Sequence, residues 1–195
     1  MTKEEQDGFK MKIFIPKRNP ASHKGSYGKC LIIAGAEGMA GAAYFAALSA
    51  YRTGTGLVKL CSAKKNCGIL QSLIPEAIIL SFPKGKENFQ ELEKAIEWAD
   101  FLLFGPGMGT GEEAEELLRL VLDKGRAPLL IDADGLNLLS KDSALQTLAK
   151  AYGRKSLLFL TPHLMEFSRL SGKSLTEIEN RGGEIAKSFG KEYHC

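Results

Sequence analysis

The chain alternates short apolar runs with longer segments in which apolar residues recur every three or four positions. Short apolar runs flanked by turn residues are typical of strands buried on both faces, and the longer segments have the period of amphipathic helices. Six strands are predicted, at residues 30–34, 57–61, 77–80, 101–104, 129–131 and 157–160. Helices are predicted at residues 41–52, 65–73, 88–99, 112–124, 143–151, 165–171 and 176–189, with a short one beginning at residue 135.

The regular alternation of strands and helices predicts the class of fold. Short connections favour right-handed crossovers and hence a mostly parallel sheet. We therefore expect a three-layer α-β-α fold of the α/β class, with helices on both faces of the sheet. No repeat, low-complexity segment or linker interrupts the pattern, so a single domain over residues 1–195 is expected. In the last helix, Ser174 and Glu177 have the spacing of a capping box.

Three of the predicted strands run directly into loops of small and polar residues. These loops are residues 105–109 (Gly-Pro-Gly-Met-Gly), 132–137 (Asp-Ala-Asp-Gly-Leu-Asn) and 161–163 (Thr-Pro-His). In open parallel sheets, ligands bind outside the carboxyl ends of the strands. The sequence therefore predicts that the three loops share one site, and that its ligand is of the nucleotide type.

The loop at residues 105–109 combines glycines with the start of a helix a few residues later. Glycine lets the backbone approach a ligand closely, and a helix N-terminus favours an anion. A phosphate could bind here, but a tight strand-to-helix turn without a ligand explains the same residues equally well. The loop matches neither the P-loop nor the Gly-x-Gly-x-x-Gly fingerprint.

The polar residues of the other two loops allow functional and structural interpretations. Asp132 ends an apolar strand, where a carboxylate needs solvent or a partner, so its position favours binding of a substrate hydroxyl or of Mg²⁺. We interpret Asp134 instead as a cap of the helix that begins at residue 135. His163 could donate to an amide or phosphate oxygen, or it could be a satisfied surface residue. Glu166 suits the start of the next helix in either case.

Two earlier segments are further candidates. The small residues at 41–43 would let a flat ligand ring pack on the backbone, although close packing of an Ala-rich helix on a sheet requires the same residues. Lys24 lies in a polar loop that contains Gly25 and Gly28. The residues of this loop favour a solvated turn over a phosphate clamp.

Charge and cysteine content narrow the classes of function. The net charge is +3, from 26 basic and 23 acidic residues, which is too small to indicate a nucleic-acid or membrane partner. The amino terminus is polar and no apolar stretch reaches the roughly 20 residues of a membrane span, so a cytoplasmic location is expected. Cys30, Cys61, Cys67 and Cys195 lack metal-ligand spacing, and the first two are interpreted as small hydrophobic residues of strands.

Taken in order, these segments resemble those of the ADP/ATP-dependent NAD(P)H-hydrate dehydratases, in the carboxy-terminal domain of the YjeF type, which has the ribokinase-like fold. The resemblance runs from about residue 18 to the end of the chain. It rests on His-Lys-Gly at 23–25, Gly-Met-x-Gly-Ala-Ala at 38–43, Arg-Thr-Gly-Thr-Gly at 52–56, Pro-Glu at 75–76, and the segments at 105–109, 132–137 and 161–166.

The resemblance implies a lyase of nicotinamide-nucleotide repair. Such an enzyme dehydrates NAD(P)H hydrate, the damaged cofactor, back to NADH or NADPH. ADP or ATP phosphorylates the hydroxyl of the hydrated ring, phosphate is then lost, and Mg²⁺ assists. Family members often form homo-oligomers, so a homo-oligomer is expected here.

The resemblance also assigns residues to the site. The residues expected to bind the hydrated dinucleotide are Ala42, Gly107 and His163, supported by Asp132 and Asn137. The residues that could contact phosphate are Lys24, Gly105 and Gly109. No residue of the chain is assigned as the catalytic base or as a metal ligand.

The family pattern continues beyond the point where this sequence stops. It includes a strand with a Lys-Gly pair and a Gly-Thr-Gly-Asp segment, whose Asp would be the general base, and neither follows Gly190. We therefore expect a carboxy-terminally truncated domain that retains the hydrated-cofactor half of the site and lacks the phosphoryl-donor half. Impaired catalysis, a bare sheet edge with exposed apolar surface, and self-association would follow.

Two other functions remain open at this point. A vitamin-precursor kinase of the same fold, acting on a thiazole or pyrimidine, would use similar strand-end loops. A non-catalytic nucleotide-binding module would need no phosphoryl-donor half. Turnover of a vitamin precursor would indicate the kinase, and dinucleotide binding without turnover would indicate the binding module.

Overall fold

A parallel sheet of six strands lies at the centre of the computed structural model, which describes Lys17, residues 19–83 and residues 89–195. The strands are β1 (Lys29–Ile33), β2 (Leu57–Ser62), β3 (Ile78–Ser81), β4 (Phe101–Phe104), β5 (Leu129–Ile131) and β6 (Leu158–Leu160). Their order across the sheet is β3-β2-β1-β4-β5-β6, and every neighbouring pair is parallel. The predicted parallel sheet is confirmed.

Helices cover both faces of the sheet. They are α1 (Ala40–Arg52), α2 (Cys67–Leu73), α3 (Gln90–Trp98), α4 (Glu112–Lys124), α5 (Asp134–Lys141), α6 (Ser143–Gly153), α7 (Leu164–Ser171) and α8 (Leu175–Tyr193). Helices α1 and α2 pack on one face, and α3 to α8 contribute to the core on the other, which confirms the three-layer α-β-α prediction. Within the described part of the chain, no helix has both the length and the apolar character of a membrane span.

The element boundaries differ from the prediction only at their ends. The segment predicted as one helix at residues 65–73 is a 3-10 turn, Lys64–Asn66, followed by α2. Helix α8 continues to Tyr193 because this side chain is buried and stacks on Phe189, with ring centroids 4.2 Å apart. Residue 88, where the third helix was predicted to begin, and residue 18, near the start of the resemblance, lie outside the described residues.

Alternate residues of each strand belong to different cores, which explains why the strands are apolar throughout. In β1, Leu31 and Ile33 face the core of α3 to α8, whereas Cys30 and Ile32 face the core of α1 and α2. Burial raises the pKa of the Cys30 thiol to about 11 and also raises that of Cys61. All four cysteines are free thiols, and the interpretation of Cys30 and Cys61 as small hydrophobic residues is confirmed.

Part of the face that carries α1 and α2 is left open among the described residues. A groove of about 560 Å³ runs beside α1 and is lined in part by Phe101, Leu103 and Leu130. Phe159 of the edge strand β6 stacks on Phe101 and is 44% exposed. Parallel sheets normally have both faces covered, so this is apolar surface of the kind that binds other polypeptide.

Candidate functional site

The loops after β1 and β4 are joined by backbone hydrogen bonds at the carboxyl edge of the sheet. The amides of Gly35 and Ala36 donate to the carbonyls of Pro106 and Gly107, at 2.9 and 2.6 Å. At Gly107 the φ angle is +63°, and a Cβ there would lie 2.8 Å from the Cβ of Ala42. Ala42 and Gly107 therefore form one continuous surface of small residues, and only glycine fits at position 107.

The loop after β5 adjoins the same glycine loop. The amide of Asp132 donates to the carbonyl of Phe104 at 3.0 Å, and a Cβ on Gly105 would overlap the carbonyl oxygen of Asp132. The next residue, Ala133, has a φ of +49°, a conformation that is strained for any residue with a Cβ. The carboxylate of Asp132 is half-buried and has no hydrogen-bond partner within the described residues. This carboxylate is thus available to a ligand.

Asp134 does not have the role that we predicted for it. It is the first residue of α5, and the residue before it, Ala133, makes no side-chain cap. Instead, the Asp134 carboxylate accepts a hydrogen bond from the amide of Gly109 at 2.8 Å, across a separation of 25 residues. The capping prediction was wrong because one oxygen of the carboxylate accepts from the Gly109 amide and the other lies near the Asn137 side chain, so neither caps a backbone amide of α5.

Asn137 connects the site to α7. Its amide nitrogen is 3.4 Å from the Asp134 carboxylate, and its amide oxygen accepts a hydrogen bond from the guanidinium of Arg169. Arg169 was not among the residues predicted for the site. Its spacing of three residues from Glu166 could have indicated it, because residues three apart share a face of a helix.

His163 caps α7 and forms a capping box with Glu166. Its Nδ1 accepts hydrogen bonds from the amides of Met165 and Glu166, at 3.1 and 3.4 Å, and the Glu166 carboxylate accepts from the His163 amide at 3.0 Å. Because Nδ1 is an acceptor, a neutral ring carries its proton on Nε2, which lies 3.3 Å from Glu166 Oε1. The His163 side chain is 63% exposed, so its outer face can still meet a ligand.

The amides of the glycine loop are largely committed to the protein itself. The amide of Gly105 donates to Ile33, that of Met108 donates to Gly105, and that of Gly109 donates to Asp134. A phosphate could not use the Gly105 and Gly109 amides without displacing these bonds. Their phosphate contact therefore remains a prediction, and any such contact would have to involve other atoms of the loop.

Lys24 is not brought to this edge of the sheet. It begins the 3-10 turn Lys24–Tyr27, which lies against Gly56, the residue just before β2. The turn therefore sits at the amino ends of β1 and β2. Strand β1 has five residues, and a strand rises about 3.3 Å per residue. Because of this separation, the predicted grouping of Lys24 with Gly105 and Gly109 does not form within one chain.

The described residues contain no group of three or more His, Cys, Asp or Glu side chains placed to hold a metal ion. The available oxygen donors are the Asp132 carboxylate and backbone carbonyls. Mg²⁺ is commonly held by one or two carboxylates together with substrate phosphates. The described residues therefore form no dedicated cage for a metal ion.

The family profile described as NAD(P)H-hydrate dehydratase matches residues 30–195. The chain belongs to this family. The ADP-dependent (S)-NAD(P)H-hydrate dehydratase of Listeria monocytogenes is 38% identical to this family member over 162 residues, which are 82% of this chain and 55% of that protein. The ATP-dependent (S)-NAD(P)H-hydrate dehydratase of Pediculus humanus is 37% identical over 175 residues, which are 88% of this chain and 56% of that protein.

A solved structure has the same fold as this NAD(P)H-hydrate dehydratase family member. It is the ADP/ATP-dependent NAD(P)H-hydrate dehydratase of Bacillus subtilis, co-crystallised with ATP and Mg²⁺, with a TM-score of 0.73 and 27% identity. The match covers 92% of this chain and 60% of that one. The chain thus spans little more than half the length of these relatives.

Proposed function

We propose that this chain binds NAD(P)H hydrate at the carboxyl edge of its sheet and takes part in the ADP- or ATP-dependent dehydration of that compound. The observation that carries the proposal is the surface of small residues at Ala42 and Gly107, together with the Asp132 carboxylate on the adjoining loop, which has no hydrogen-bond partner within the described residues. The hydrated nicotinamide ring can lie on the first, and its hydroxyl can donate to the second. The names of the relatives point to the same substrate.

The remaining site residues have supporting roles in this proposal. Asn137 and Arg169 border the loop that carries Asp132, so they would hold that edge of the pocket in place. The exposed face of the His163 ring would contact the ligand while its nitrogens remain in the capping box. The nucleotide would supply the phosphoryl group and carry Mg²⁺ on its phosphates, and the Asp132 carboxylate would be available to the ion.

We also propose that copies of the chain associate through the open sheet face, and that the protein acts in the cytoplasm. Association would bury Phe101, Leu130 and the exposed ring of Phe159, which solvent otherwise contacts. The four free thiols agree with a reducing compartment.

The test is a direct assay of binding and turnover. The chain is mixed with hydrated NADH, with Mg²⁺ and either ADP or ATP, and the return of NADH fluorescence is followed; calorimetry gives the Kd for hydrated NADH alone. We expect Ala42→Val to raise the Kd by roughly tenfold, because a larger side chain would fill the contact with Gly107. Ala50→Val, two turns further along α1, is the matched control and should leave the Kd unchanged.

Three results would distinguish the alternatives. Turnover of a thiazole or pyrimidine vitamin precursor with ATP, without binding of hydrated NADH, would replace the proposal with the kinase. Binding of hydrated NADH with no turnover would support the site and leave the chain as a binding module. Absence of binding would overturn the proposal.

A further inference from the structure

Two polar side chains lie almost fully buried behind the loop that follows β1. Ser62, the last residue of β2, is 0% exposed, and Asn66, the last residue of the 3-10 turn before α2, is 2% exposed. Burying a hydroxyl or an amide is unfavourable unless it forms hydrogen bonds. Their partners therefore indicate what these two residues do.

Both side chains bind the same backbone segment. The carbonyl of Gly35 accepts hydrogen bonds from Ser62 Oγ at 2.7 Å and from Asn66 Nδ2 at 2.9 Å, and the amide of Ala63 donates to it at 3.0 Å. Asn66 Nδ2 also donates to the carbonyl of Ala36 at 2.9 Å. Two consecutive carbonyls are thus held by a buried cluster of donors.

The amides of the same two residues are hydrogen-bonded to the glycine loop of the candidate site. They donate to the carbonyls of Pro106 and Gly107, and Gly107 in turn packs against the side chain of Ala42. Gly35 has little freedom to move, because its φ is +79° and a Cβ on it would lie 2.8 Å from Ser62 Oγ. The residues at 35–36 are therefore clamped on one side by Ser62 and Asn66 and bonded on the other side to the glycine loop.

We propose that Asn66 and Ser62 are positioning residues of the site. They hold the peptide groups of Gly35 and Ala36 in the orientation that locates Gly107 against Ala42. Neither side chain reaches the ligand surface, because both are buried on the far side of the loop. The effect on ligand binding rests on the proposed function, whereas the effect on the loop does not.

The experiment uses Asn66→Ala and the milder Ser62→Ala, with Ser62→Thr as the conservative variant that keeps the hydroxyl. Tyr152→Phe is the matched control. Tyr152 is also buried and donates to a backbone carbonyl, that of Ala127, but it lies near the amino end of β5. Hydrogen exchange of the Gly35 and Ala36 amides and the Kd for hydrated NADH are measured for each variant.

We expect Asn66→Ala to accelerate exchange of the Ala36 amide and to raise the Kd, each by roughly tenfold. Ser62→Ala should have a smaller effect in the same direction, Ser62→Thr should stay closer to the native values than Ser62→Ala because it keeps the hydroxyl, and Tyr152→Phe should lower Tm without changing either quantity. The proposal is overturned if Asn66→Ala and Ser62→Ala leave exchange at Gly35 and Ala36 as slow as in Tyr152→Phe.

The two readouts separate this inference from the proposed function. If the wild type does not bind hydrated NADH but Asn66→Ala still exchanges the Gly35 and Ala36 amides faster, the positioning role is supported and the proposed substrate is contradicted. If the wild type binds hydrated NADH and Asn66→Ala binds it with the same Kd, the positioning role is contradicted and the proposed substrate is supported.

Discussion

The carboxylate of Asp134 accepts a hydrogen bond from the amide of Gly109 at 2.8 Å, and so joins the loops that follow β4 and β5. We predict that Asp134→Ala frees this amide and accelerates its hydrogen exchange about fivefold, the equivalent of a bond of about 1 kcal/mol. Asp134→Asn keeps an acceptor oxygen at the same position and should retain most of the protection. Equal exchange in the wild type and in Asp134→Ala would contradict this prediction.

Gly107 and Gly109 provide a matched pair of substitutions. Both have positive φ angles, +63° and +68°, so alanine is strained by roughly 1–2 kcal/mol at either position. Only at Gly107 would the new Cβ meet a neighbour, at 2.8 Å from Ala42, because nothing lies within 4 Å of a Cβ at Gly109. Gly107→Ala should therefore weaken binding of hydrated NADH at least tenfold more than Gly109→Ala does. Calorimetric titration and thermal unfolding of both variants test the difference.

His163 combines a structural role with a proposed contact to the ligand, and substitution can separate them. Asn is a favoured N-cap residue, so His163→Asn should keep the start of α7 and leave the free energy of unfolding within about 0.5 kcal/mol of the wild type. His163→Ala should lose about 1 kcal/mol. If the ring contacts the hydrated dinucleotide, both variants bind it more weakly. Wild-type affinity in His163→Asn would show that His163 acts only as a cap.

The open sheet face indicates where copies of the chain would associate. Phe159 is 44% exposed on the edge strand, whereas Leu175, 38% exposed at the start of α8, lies on another element. Phe159→Ser should reduce self-association in sedimentation velocity, because it removes apolar area from the proposed contact. Leu175→Ser is the control and should leave association unchanged. A wild-type chain that stays monomeric at all concentrations would contradict the prediction.

The capping box of α8 is expected to make the stability of the fold depend on pH. The Ser174 amide and hydroxyl donate to the Glu177 carboxylate, and these bonds, with Lys173 and Arg181 nearby, lower the pKa of Glu177. Because the pKa of Glu177 is lower in the folded chain than in the unfolded one, the ionised carboxylate stabilises the fold fully above about pH 4–5, the ordinary titration range of a glutamate. This stabilisation is lost as the pH falls through the pKa of the folded state. Titration of the Glu177 carboxyl by NMR should give a value below that of an unfolded peptide. In Ser174→Ala the pKa should rise toward the ordinary value.

Much of the candidate site could be predicted from local sequence. Asp132 was chosen because it ends an apolar strand, whereas Ala42 and Gly107 were assigned through the family resemblance, and the structure brings all three to one edge of the sheet. The Ser174 and Glu177 capping box was predicted from its spacing, since it is specified within four consecutive residues, and it is present.

The errors concern residues whose partners are distant in sequence. Asp134 was interpreted from its adjacent helix, but its partner, Gly109, lies 25 residues away. Lys24 was grouped with the glycine loop although its turn lies at the opposite edge of the sheet. Arg169, Ser62 and Asn66 were not recognised at all, because their partners, Asn137 of α5 for Arg169 and Gly35 after β1 for the other two, lie far away in the sequence.

The sequence by itself determined the class of fold and the strand-end loops, because periodicity, glycine spacing and terminal polar residues are local properties of the chain. Tertiary structure alone decided which loops are neighbours and which face of the sheet stays open. The order β3-β2-β1-β4-β5-β6 places β1 beside β4, and that pairing brings Ala36 to Gly107. No local pattern encodes that pairing, since it depends on how all six strands share one sheet.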